Sequence, residues 1–380
     1  MYVIRPFRPQ GVRELDFALA VRGAGPWLSA VCLLPVLWAL FSAWRRPIAR
    51  PSRIALVVFA FIALVVAVLT HVNIFEIMFR PYPSPVFADA DSAKVDADDK
   101  VLAVRIGAVA HAYPIRMMGY HHIVNDTVGE APIAVTYCTL CHTGLVWSRL
   151  LDGKTLYFRL AGINNGNALM RDEQTLSIWQ QSTGQAIFGP LKGRQLALIR
   201  SDEITFGLWR KEQPQGLVLK PDIRYVDEYE TKDWETHIEK THVVIDTAKS
   251  GIAPHELMLG VTLAGESKAY PVRAILAARL IQDRIAGIPV LILVGPDQAS
   301  IRVFQARAQA EPMNFVPVQA ADLQGKGWIA QDAETESAWN FQGCAIDGKL
   351  AGQCLTQIEA NKDYWFDWMN HHPGSAVFRN

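Results

Sequence analysis

The sequence lacks the motifs by which several common enzyme classes are recognised. It has no glycine-rich phosphate loop, no serine nucleophile elbow and no histidine pair typical of a zinc-protease helix. It also lacks an excess of either charge, because 37 lysines and arginines balance 37 aspartates and glutamates. A nucleic-acid-binding protein usually carries a basic excess, so no nucleic-acid partner is expected. The few chemically distinctive residues must therefore guide the search for function.

Cysteine is scarce, and two of the five cysteines belong to the run Cys138-Thr139-Leu140-Cys141-His142. A Cys-x-x-Cys turn can bring two sulfurs close enough to bind one soft cation. Cys32 lies in an apolar run and is expected to be inert. Cys344 and Cys354 flank a glycine-rich turn. Their spacing fits a disulfide, worth roughly 2–3 kcal/mol, and it equally fits two buried free thiols.

The chain after residue 100 repeats itself. Residues 101–218 have a degenerate second copy at residues 258–377, aligned at an almost constant offset. This period is too long for a solenoid repeat and indicates a duplicated domain. The shared positions are mostly glycine, proline, aromatic and apolar, so core packing is their expected role. Examples are Ala112 to Arg116 with Ala269 to Arg273, Trp179 with Trp339, and Trp209 with Trp368.

The second copy lacks the residues that could carry chemistry in the first. At the aligned positions Gly295, Gln298 and Ala299 stand in place of the two cysteines and the histidine of the Cys-x-x-Cys-His run. Residues present in only one copy are not required by the shared fold, which makes them candidates for function. The residues confined to the first copy are His121, Cys138, Cys141, His142, Asn164, Asn165, Asn167 and Met170.

Two apolar runs near the N-terminus, 27–44 and 54–72, are each close to the ~20 residues that a helix needs to cross a bilayer. A buried helix of a soluble protein can look similar, but two successive runs favour a transmembrane hairpin. The loop from Arg45 to Arg53 has four arginines and no acid, which favours the cytoplasm. The sequence therefore predicts a bacterial inner-membrane protein with a periplasmic domain. Arginines before the first run weaken this orientation: Arg5, Arg8, Arg13 and Arg22.

Short β-branched runs predict strands after the apolar segments, whereas long periodic helices are scarce there. We therefore expect an α+β, β-rich fold with two pseudo-symmetric duplicated lobes, preceded by the two-helix transmembrane hairpin. The expected divisions are an N-terminal segment (1–25), the hairpin (26–72), a linker (73–100), the first lobe (101–220), a connector (221–257) and the second lobe (258–380).

Several runs of the first copy match one family pattern: Ala112 to Arg116, His121, Ile123 to Asp126, Val135 to Cys141 and Asn165 to Gly193. Together they resemble the DUF3179 family of bacterial and archaeal proteins over most of the chain after the apolar runs. The family's name marks an unknown function, so the resemblance implies no activity. The family commonly has Glu at the position of His122 and a small residue at that of His142. A haem-type histidine would then be peculiar to this chain.

The leading interpretation of the Cys-x-x-Cys run is a metal site. Two thiolates with His or Met would suit Cu(I), and Zn(II) less well if Met is a ligand. The predicted function is copper binding for delivery, storage or electron transfer by a membrane-anchored periplasmic protein. The predicted ligands are Cys138, Cys141, His142, His121 and Met170, and the predicted pocket residues are Asn165, Asp126 and Trp179.

Three alternatives remain open from the sequence. The two cysteines could form a redox dithiol or a plain disulfide, although no long helix follows them as in thioredoxins. Cys-x-x-Cys-His is also the attachment signature of haem c. From a different class, the chain could be a structural or assembly subunit, whose hairpin docks into a larger membrane complex while its domain binds a protein partner.

Overall fold

The computed structural model describes residues 8–45, 49–82, 84–308, 311–317, 327 and 329–379. Arg5, which enters the charge argument above, and Arg46 of the basic loop lie outside the described residues. The described chain is β-rich and contains two long apolar helices at its N-terminal end, as the sequence predicts.

The first three helices are α1 (Val12–Arg45), α2 (Arg50–Leu69) and α3 (Ile74–Met78). By length and composition alone, α1 and α2 are able to cross a membrane. Their large apolar side chains point outward, and Trp27 and Trp38 are 78% and 71% exposed. Outward apolar surface of this extent fits a lipid environment rather than water.

The beginning of α1 packs on the globular part of the chain. Leu15, Ala18 and Leu19 are buried there. The guanidinium of Arg22 donates hydrogen bonds to the carbonyl oxygen of Ala161 (2.6 Å) and to Asn73 Oδ1 (3.2 Å). Residues 12–25, predicted as part of a separate N-terminal segment, therefore continue the first helix and dock on the domain.

The first half of the globular part comprises residues 87–219 and contains helices α4 (Ile115–His121) and α5 (Phe206–Glu212). Its strands are β1 (Phe87–Asp89), β2 (Lys100–Ile106), β3 (Val109–Pro114), β4 (Ile123–Val128), β5 (Ala131–Cys138), β6 (Thr143–Ser148), β7 (Leu150–Leu151), β8 (Lys154–Thr155), β9 (Phe158–Asn164), β10 (Asn167–Asp172), β11 (Ile178–Gln180), β12 (Ala186–Phe188), β13 (Leu198–Ile199), β14 (Ser201–Thr205) and β15 (Leu217–Leu219).

A connector, residues 220–256, joins the halves. It holds the short helix α6 (Trp234–Ile238) between two 3₁₀ turns, Ile223–Glu228 and Ala248–Ser250. The stretch between α6 and the second turn has neither helix nor strand. Val243 and Ile245 of this stretch pack against the core that contains both cysteines.

The second half comprises residues 257–377 and contains helices α7 (Val272–Ala278) and α8 (Trp365–His371). Its strands are β16 (Leu257–Leu263), β17 (Glu266–Pro271), β18 (Leu280–Ile285), β19 (Ile288–Val294), β20 (Ile301–Gln305), β21 (Arg307–Ala308), β22 (Glu311–Pro312), β23 (Phe315–Pro317), β24 (Ala330–Asp332), β25 (Ala338–Trp339), β26 (Ala345–Asp347), β27 (Gln357–Ile358), β28 (Ala360–Tyr364) and β29 (Ala376–Val377).

The three main sheets of the two halves have matching strand orders, except that β1 adds a fifth strand to one sheet of the first half. The first half has β1–β15–β3–β2–β14, β13–β6–β5–β4 and β12–β11–β10–β9. The second half has β29–β17–β16–β28, β27–β20–β19–β18 and β26–β25–β24–β23. The central strands β5 and β19 are buried along almost their whole length, which explains why both read as continuous apolar runs.

The aligned tryptophans make the same contacts in the two halves. The indole N–H of Trp179 donates to Asp172 Oδ2, and that of Trp339 donates to Asp332 Oδ2, both at 2.9 Å. Both rings are fully buried. A buried indole needs a hydrogen-bond partner for its N–H. In each half, the aspartate seven residues earlier is that partner.

Cys344 and Cys354 form a disulfide. They face one another as an isolated antiparallel bridge, and in the first half Gln185 and Gln195 form the corresponding bridge. The cross-link therefore replaces a non-covalent contact beside the glycine-rich turn, and it lies outside the Cys-x-x-Cys run.

Candidate metal centre

The Cys-x-x-Cys run forms the turn of a β-hairpin. Strand β5 ends at Cys138, strand β6 begins at Thr143, and these two residues pair across the hairpin. His142 closes the turn in the left-handed backbone region, with φ at 58°. Cys138 and Cys141 are both buried free thiols. The motif therefore lies on a strand-to-strand turn and not at the start of a helix, where a thiol's pKa would be lowered.

The two thiols lie against the neighbouring β9–β10 turn. The thiol of Cys138 donates to the carbonyl oxygen of Gly166 at 3.5 Å, and Asn167 Nδ2 donates to Cys141 Sγ at 3.2 Å. Burial, followed by the hydrogen bond with Cys138, raises the pKa of Cys141 well above its ordinary value. Without a cation, the raised pKa favours Cys141 as a protonated, weakly nucleophilic thiol.

Gly166 allows that turn to approach the second half closely. Its φ is +95°, and a Cβ there would lie 2.8 Å from the ring of Phe366 on α8. Any larger residue would be strained in the backbone and would collide with that ring. This glycine therefore allows the β9–β10 turn, against which the two thiols lie, to pack next to the beginning of α8.

The second half contributes two buried carboxylates at this point. Asp363 is the next-to-last residue of β28 and Asp367 lies in the first turn of α8, and both are almost fully buried. The Sγ of Cys141 and one carboxylate oxygen from each aspartate lie within 4.8 Å of one another. Cys138 interacts with both Cys141 and Asp363. We call Cys138, Cys141, Asp363 and Asp367 the thiol–carboxylate cluster.

Hydroxyl and amide groups from the first half fix these carboxylates. Thr143 Oγ1 donates to Asp363 Oδ1 at 2.8 Å. Ser182 Oγ and Asn167 Nδ2 donate to Asp367 Oδ2 at 2.8 and 3.0 Å. The carboxylates are thus oriented before any ion binds, as outer-shell groups orient metal ligands.

The cluster places acidic groups close together where water is excluded. Burial, followed by the carboxylate of Asp367, raises the pKa of Asp363 well above its ordinary value. Asp367 Oδ1 accepts no hydrogen bond within the described residues, and it lies 3.4 Å from Nε2 of His371. Two facing carboxylates and two thiols are stabilised either by protons or by one bound cation.

Comparison with known families identifies the chain. The profile of the family described as "Protein of unknown function (DUF3179)" matches residues 82–375. The chain belongs to the DUF3179 family. The match spans both halves and stops short of the two long apolar helices. It confirms the resemblance seen in the sequence. Comparisons with curated proteins and with solved structures found no match.

In this DUF3179 chain, His121 does not converge on the thiols. Its Nδ1 lies 2.6 Å from the carbonyl oxygen of Arg80, and its Nε2 lies 3.1 Å from the hydroxyl of Tyr229. Both ring nitrogens are therefore engaged by the linker and the connector. A ligating imidazole needs one nitrogen free for the metal, so the structure does not bring this predicted ligand to the thiols.

His142 also lies apart from the thiol–carboxylate cluster. Its fully buried ring stacks on Trp234, with 5.4 Å between ring centroids. Its two nitrogens each lie 3.6 Å from a carboxylate oxygen, of Glu203 and Glu235 respectively. That distance is too long for a hydrogen bond, and neither nitrogen makes one within the described residues. His142 therefore belongs to a separate buried group of charges and not to the predicted ligand set.

That group of charges joins the two halves. Lys362 Nζ lies 3.0 Å from Glu203 Oε1, and Lys100 Nζ lies 2.7 Å from Glu235 Oε1. Burial opposes ionisation of Glu203, but Lys362 and then His142 outweigh it and lower the pKa of Glu203. The cysteine turn is thus bordered on its His142 side by a paired ionic network.

The remaining predicted residues occupy three different places. Met170 and Trp179 are fully buried in the apolar core that also contains both cysteines. Asp126 belongs to a different cluster, where it accepts hydrogen bonds from Tyr113 and His111, so the structure does not bring this predicted pocket residue to the cysteines. Asn165 binds the backbone of Gln10 through both side-chain atoms and lines a cavity beside the cysteine turn.

The sequence interpretation missed Asp363 and Asp367, although the repeat contains a signal for them. Counting back from the aligned tryptophans Trp209 and Trp368, the first copy has Ile204 and Leu208 at these positions. Both are buried apolar residues. Two carboxylates at positions that are apolar core residues in the other copy are as distinctive as two cysteines that occur in only one copy. Only residues confined to the first copy were considered, so this half of the site was overlooked.

Proposed function

We propose that this protein is a membrane-anchored metal-binding protein whose two halves enclose one ion at the thiol–carboxylate cluster. The observation that carries the proposal is the convergence of Cys141, Asp363 and Asp367 within 4.8 Å, with Cys138 beside them. With Cys138 as a fourth potential ligand, the two halves supply the number of ligands that a structural zinc site needs, and both thiolate and carboxylate are known zinc ligands. A bound ion would also stabilise the contact between the halves.

The donor set favours a divalent ion of intermediate softness. Zinc accepts both thiolate and carboxylate ligands, whereas Cu(I) prefers sulfur and nitrogen over carboxylate oxygen. Zn²⁺ is therefore our first candidate. Cu(I), predicted from the sequence, is the second, because Met170 lies in the same core as the two cysteines.

The surroundings of the motif give less support to the other interpretations. A raised thiol pKa slows thiol–disulfide exchange, which needs a thiolate. A haem c would need space beside the imidazole of His142, and aromatic rings of Trp234, Tyr137 and Tyr364 pack around it. The structural-subunit interpretation remains the alternative if the purified protein binds no metal.

Substitution of the two aspartates tests the proposed ligand set. We expect Asp363→Asn and Asp367→Asn each to weaken Zn²⁺ or Co²⁺ binding on the order of 100-fold, since even outer-shell groups are worth about 10–100-fold. Equilibrium titration of the full-length protein in detergent, with Zn²⁺, Co²⁺ and anaerobic Cu(I), measures this. Asp347→Asn, an exposed aspartate of the same half, is the matched control. His121→Gln should leave binding unchanged. Wild-type affinity in both aspartate variants would refute the site.

We also propose that the membrane hairpin places the globular domain in the periplasm. Arg22 and Asn73, which flank the hairpin, are hydrogen-bonded to each other at the domain surface. From there to Arg45, α1 has room for the roughly 30 Å rise that crosses a bilayer core. The domain and the arginine-rich loop would then lie on opposite sides of the membrane. The positive-inside tendency assigns that loop to the cytoplasm.

A reporter fusion tests this orientation. Alkaline phosphatase fused after Asn380 is expected to be active, because it folds only when exported to an oxidising compartment. A second fusion within the loop, after Arg50, is expected to be inactive and serves as the control. An inactive but stably expressed fusion at Asn380, together with an active fusion in the loop, would reverse the orientation.

We further infer that the two halves descend from one duplicated unit and are related by an approximate two-fold axis. Matching strand orders and the paired Trp–Asp hydrogen bonds support this inference. Glu203 and Lys362, each six residues before an aligned tryptophan, meet in an ion pair across the interface. Equivalent residues meet only near a two-fold axis, so the metal cluster would lie close to that axis.

A further inference from the structure

A cavity of about 230 Å³ lies beside the thiol–carboxylate cluster. Its floor includes Leu140, Gly166 and Phe366, and its roof is formed by residues 241–244 of the connector. Two imidazoles, His242 and His255, lie on its wall. The lining is otherwise mostly apolar, so these imidazoles are its strongest metal donors.

The floor of the cavity is formed by residues that adjoin the proposed ligands. Leu140 lies between Cys138 and Cys141 in the turn, and Phe366 directly precedes Asp367. The carbonyl oxygen of Gly166 accepts the thiol hydrogen of Cys138. All four residues of the cluster are almost fully buried. An ion must therefore pass between packed residues, such as those of the cavity floor, to reach them.

We propose that a divalent metal ion reaches the thiol–carboxylate cluster through this cavity, with His242 and His255 as its transient ligands. This inference rests on the proposed function, since it concerns how the same site is loaded. The ion would bind first to the imidazoles and then pass between Leu140 and Gly166. The thiols release their protons as the metal–sulfur bonds form, and no electron is transferred.

The two histidines suit a transient role. Nε2 of His255 lies 3.5 Å from Thr241 Oγ1, and its ring is edge-on to Tyr364 and Phe366 at 5.1 and 5.7 Å between centroids. His242 is exposed at the outer side. Imidazole binds borderline ions well, but two protein ligands hold an ion more weakly than four. Transfer from this pair to the cluster is therefore favourable in free energy.

The roof of the cavity is the part of its wall best suited to opening. Residues 241–244 have neither helix nor strand, and Thr241 is held through hydrogen bonds to the carbonyl oxygen of Ile238. Few backbone hydrogen bonds anchor such a segment, so it can open at lower cost than the sheets that form the other walls.

The rate of metal loading, compared with the affinity at equilibrium, tests this inference. The full-length protein in detergent is mixed with Co²⁺ in a stopped-flow instrument, and thiolate-to-cobalt absorption reports loading. We expect His242→Gln/His255→Gln to load about tenfold more slowly, equivalent to about 1.4 kcal/mol of activation free energy, with unchanged affinity. His237→Gln, an exposed histidine on α6, is the matched control and should load as wild type.

A second variant narrows the cavity without removing a donor. Val244→Trp is expected to slow loading as well, again with unchanged affinity. Loading at the wild-type rate in both variants would overturn the inference while leaving the metal site intact. A parallel loss of affinity in the histidine variant would also overturn it, because the histidines would then belong to the final site. Absence of Co²⁺ binding by the wild-type protein would instead refute the proposed function, and this inference with it.

Discussion

Replacement of Cys138 and Cys141 by serine is expected to abolish stoichiometric binding of Zn²⁺ and Co²⁺. The two thiolates are the most strongly binding members of the thiol–carboxylate cluster, and a serine hydroxyl does not ionise near neutral pH. Binding at four-ligand zinc sites is worth about 10–16 kcal/mol at neutral pH. Loss of half the ligands, including both sulfurs, should remove enough of this energy to leave no bound ion after dialysis. Metal analysis of the purified protein measures the effect.

The matched control for that experiment is Cys32→Ser. Cys32 lies on α1, away from the cluster, and its thiol is exposed along the apolar helix. This variant should bind one equivalent of metal, the same amount that the proposal expects for the wild type. A chelator should also lower the melting temperature of the wild type and of Cys32→Ser, because a ligand that binds only the folded state stabilises it. Unchanged metal content in the double cysteine variant would contradict the proposal directly.

Arg302→Met is expected to cause the largest loss of stability among single substitutions at the contact between the halves. Arg302 on β20 donates to Asp202 on β14 at 2.8 Å and to both carboxylate oxygens of Glu212 on α5 at 2.9 and 2.8 Å. The side chains of Arg302 and Glu212 are each only 7% exposed. Burial disfavours the charge, but Asp202 and Glu212 outweigh it and raise the pKa of Arg302.

Removal of the guanidinium would leave these carboxylates without their buried counter-ion. Breaking a buried ion pair from one side typically costs about 3–5 kcal/mol of unfolding free energy. Denaturant unfolding of the variant, compared with the wild type, measures this loss. The triple variant Arg302→Met/Asp202→Asn/Glu212→Gln should recover part of it, since no uncompensated charge remains. Arg105→Met, an exposed arginine on β2, should change stability by less than about 0.5 kcal/mol. A loss below that level in Arg302→Met would refute the prediction.

The sequence predicted one half of the candidate site for a physical reason that also explains what it missed. Cys138 and Cys141 were detectable because a duplicated fold does not need them. Asp363 and Asp367 carry the same signature in the other copy, but charged residues near a C-terminus resemble ordinary surface residues when burial is unknown. Their significance depends on the contact between the halves, which no local pattern in one sequence encodes.

The histidines illustrate a second limit of sequence interpretation. His142 directly follows Cys141, and adjacency suggested a shared site. The left-handed backbone at His142 instead places its ring among Trp234, Glu203 and Glu235. His121 was grouped with the thiols because it occurs in the same copy, whereas its nitrogens serve Arg80 and Tyr229. Composition identifies candidate ligands, but the local backbone decides where each side chain points.

Local sequence patterns predicted the presence of helices and strands better than the residues at which they begin and end. The apolar runs correctly predicted two long helices, yet α1 begins at Val12 because its polar first turns dock on the domain through Leu15, Ala18 and Leu19. The short β-branched runs correctly predicted a β-rich domain, with strands such as β2, β5 and β19. Sheet order could not be predicted from the runs, because it depends on pairing between strands that are distant in sequence.

The ion pair between Glu203 and Lys362 bears on how such a chain could have evolved. If both halves descend from a unit that once assembled as a symmetric dimer, each residue near the axis faced its own copy. Today two first halves would bring glutamate against glutamate, and two second halves lysine against lysine. Opposite charges thus favour pairing of the first half with the second, and like charges disfavour pairing of either half with its own copy. Within one polypeptide the complementary half is always present in equal amount, so neither half needs to pair with its own copy.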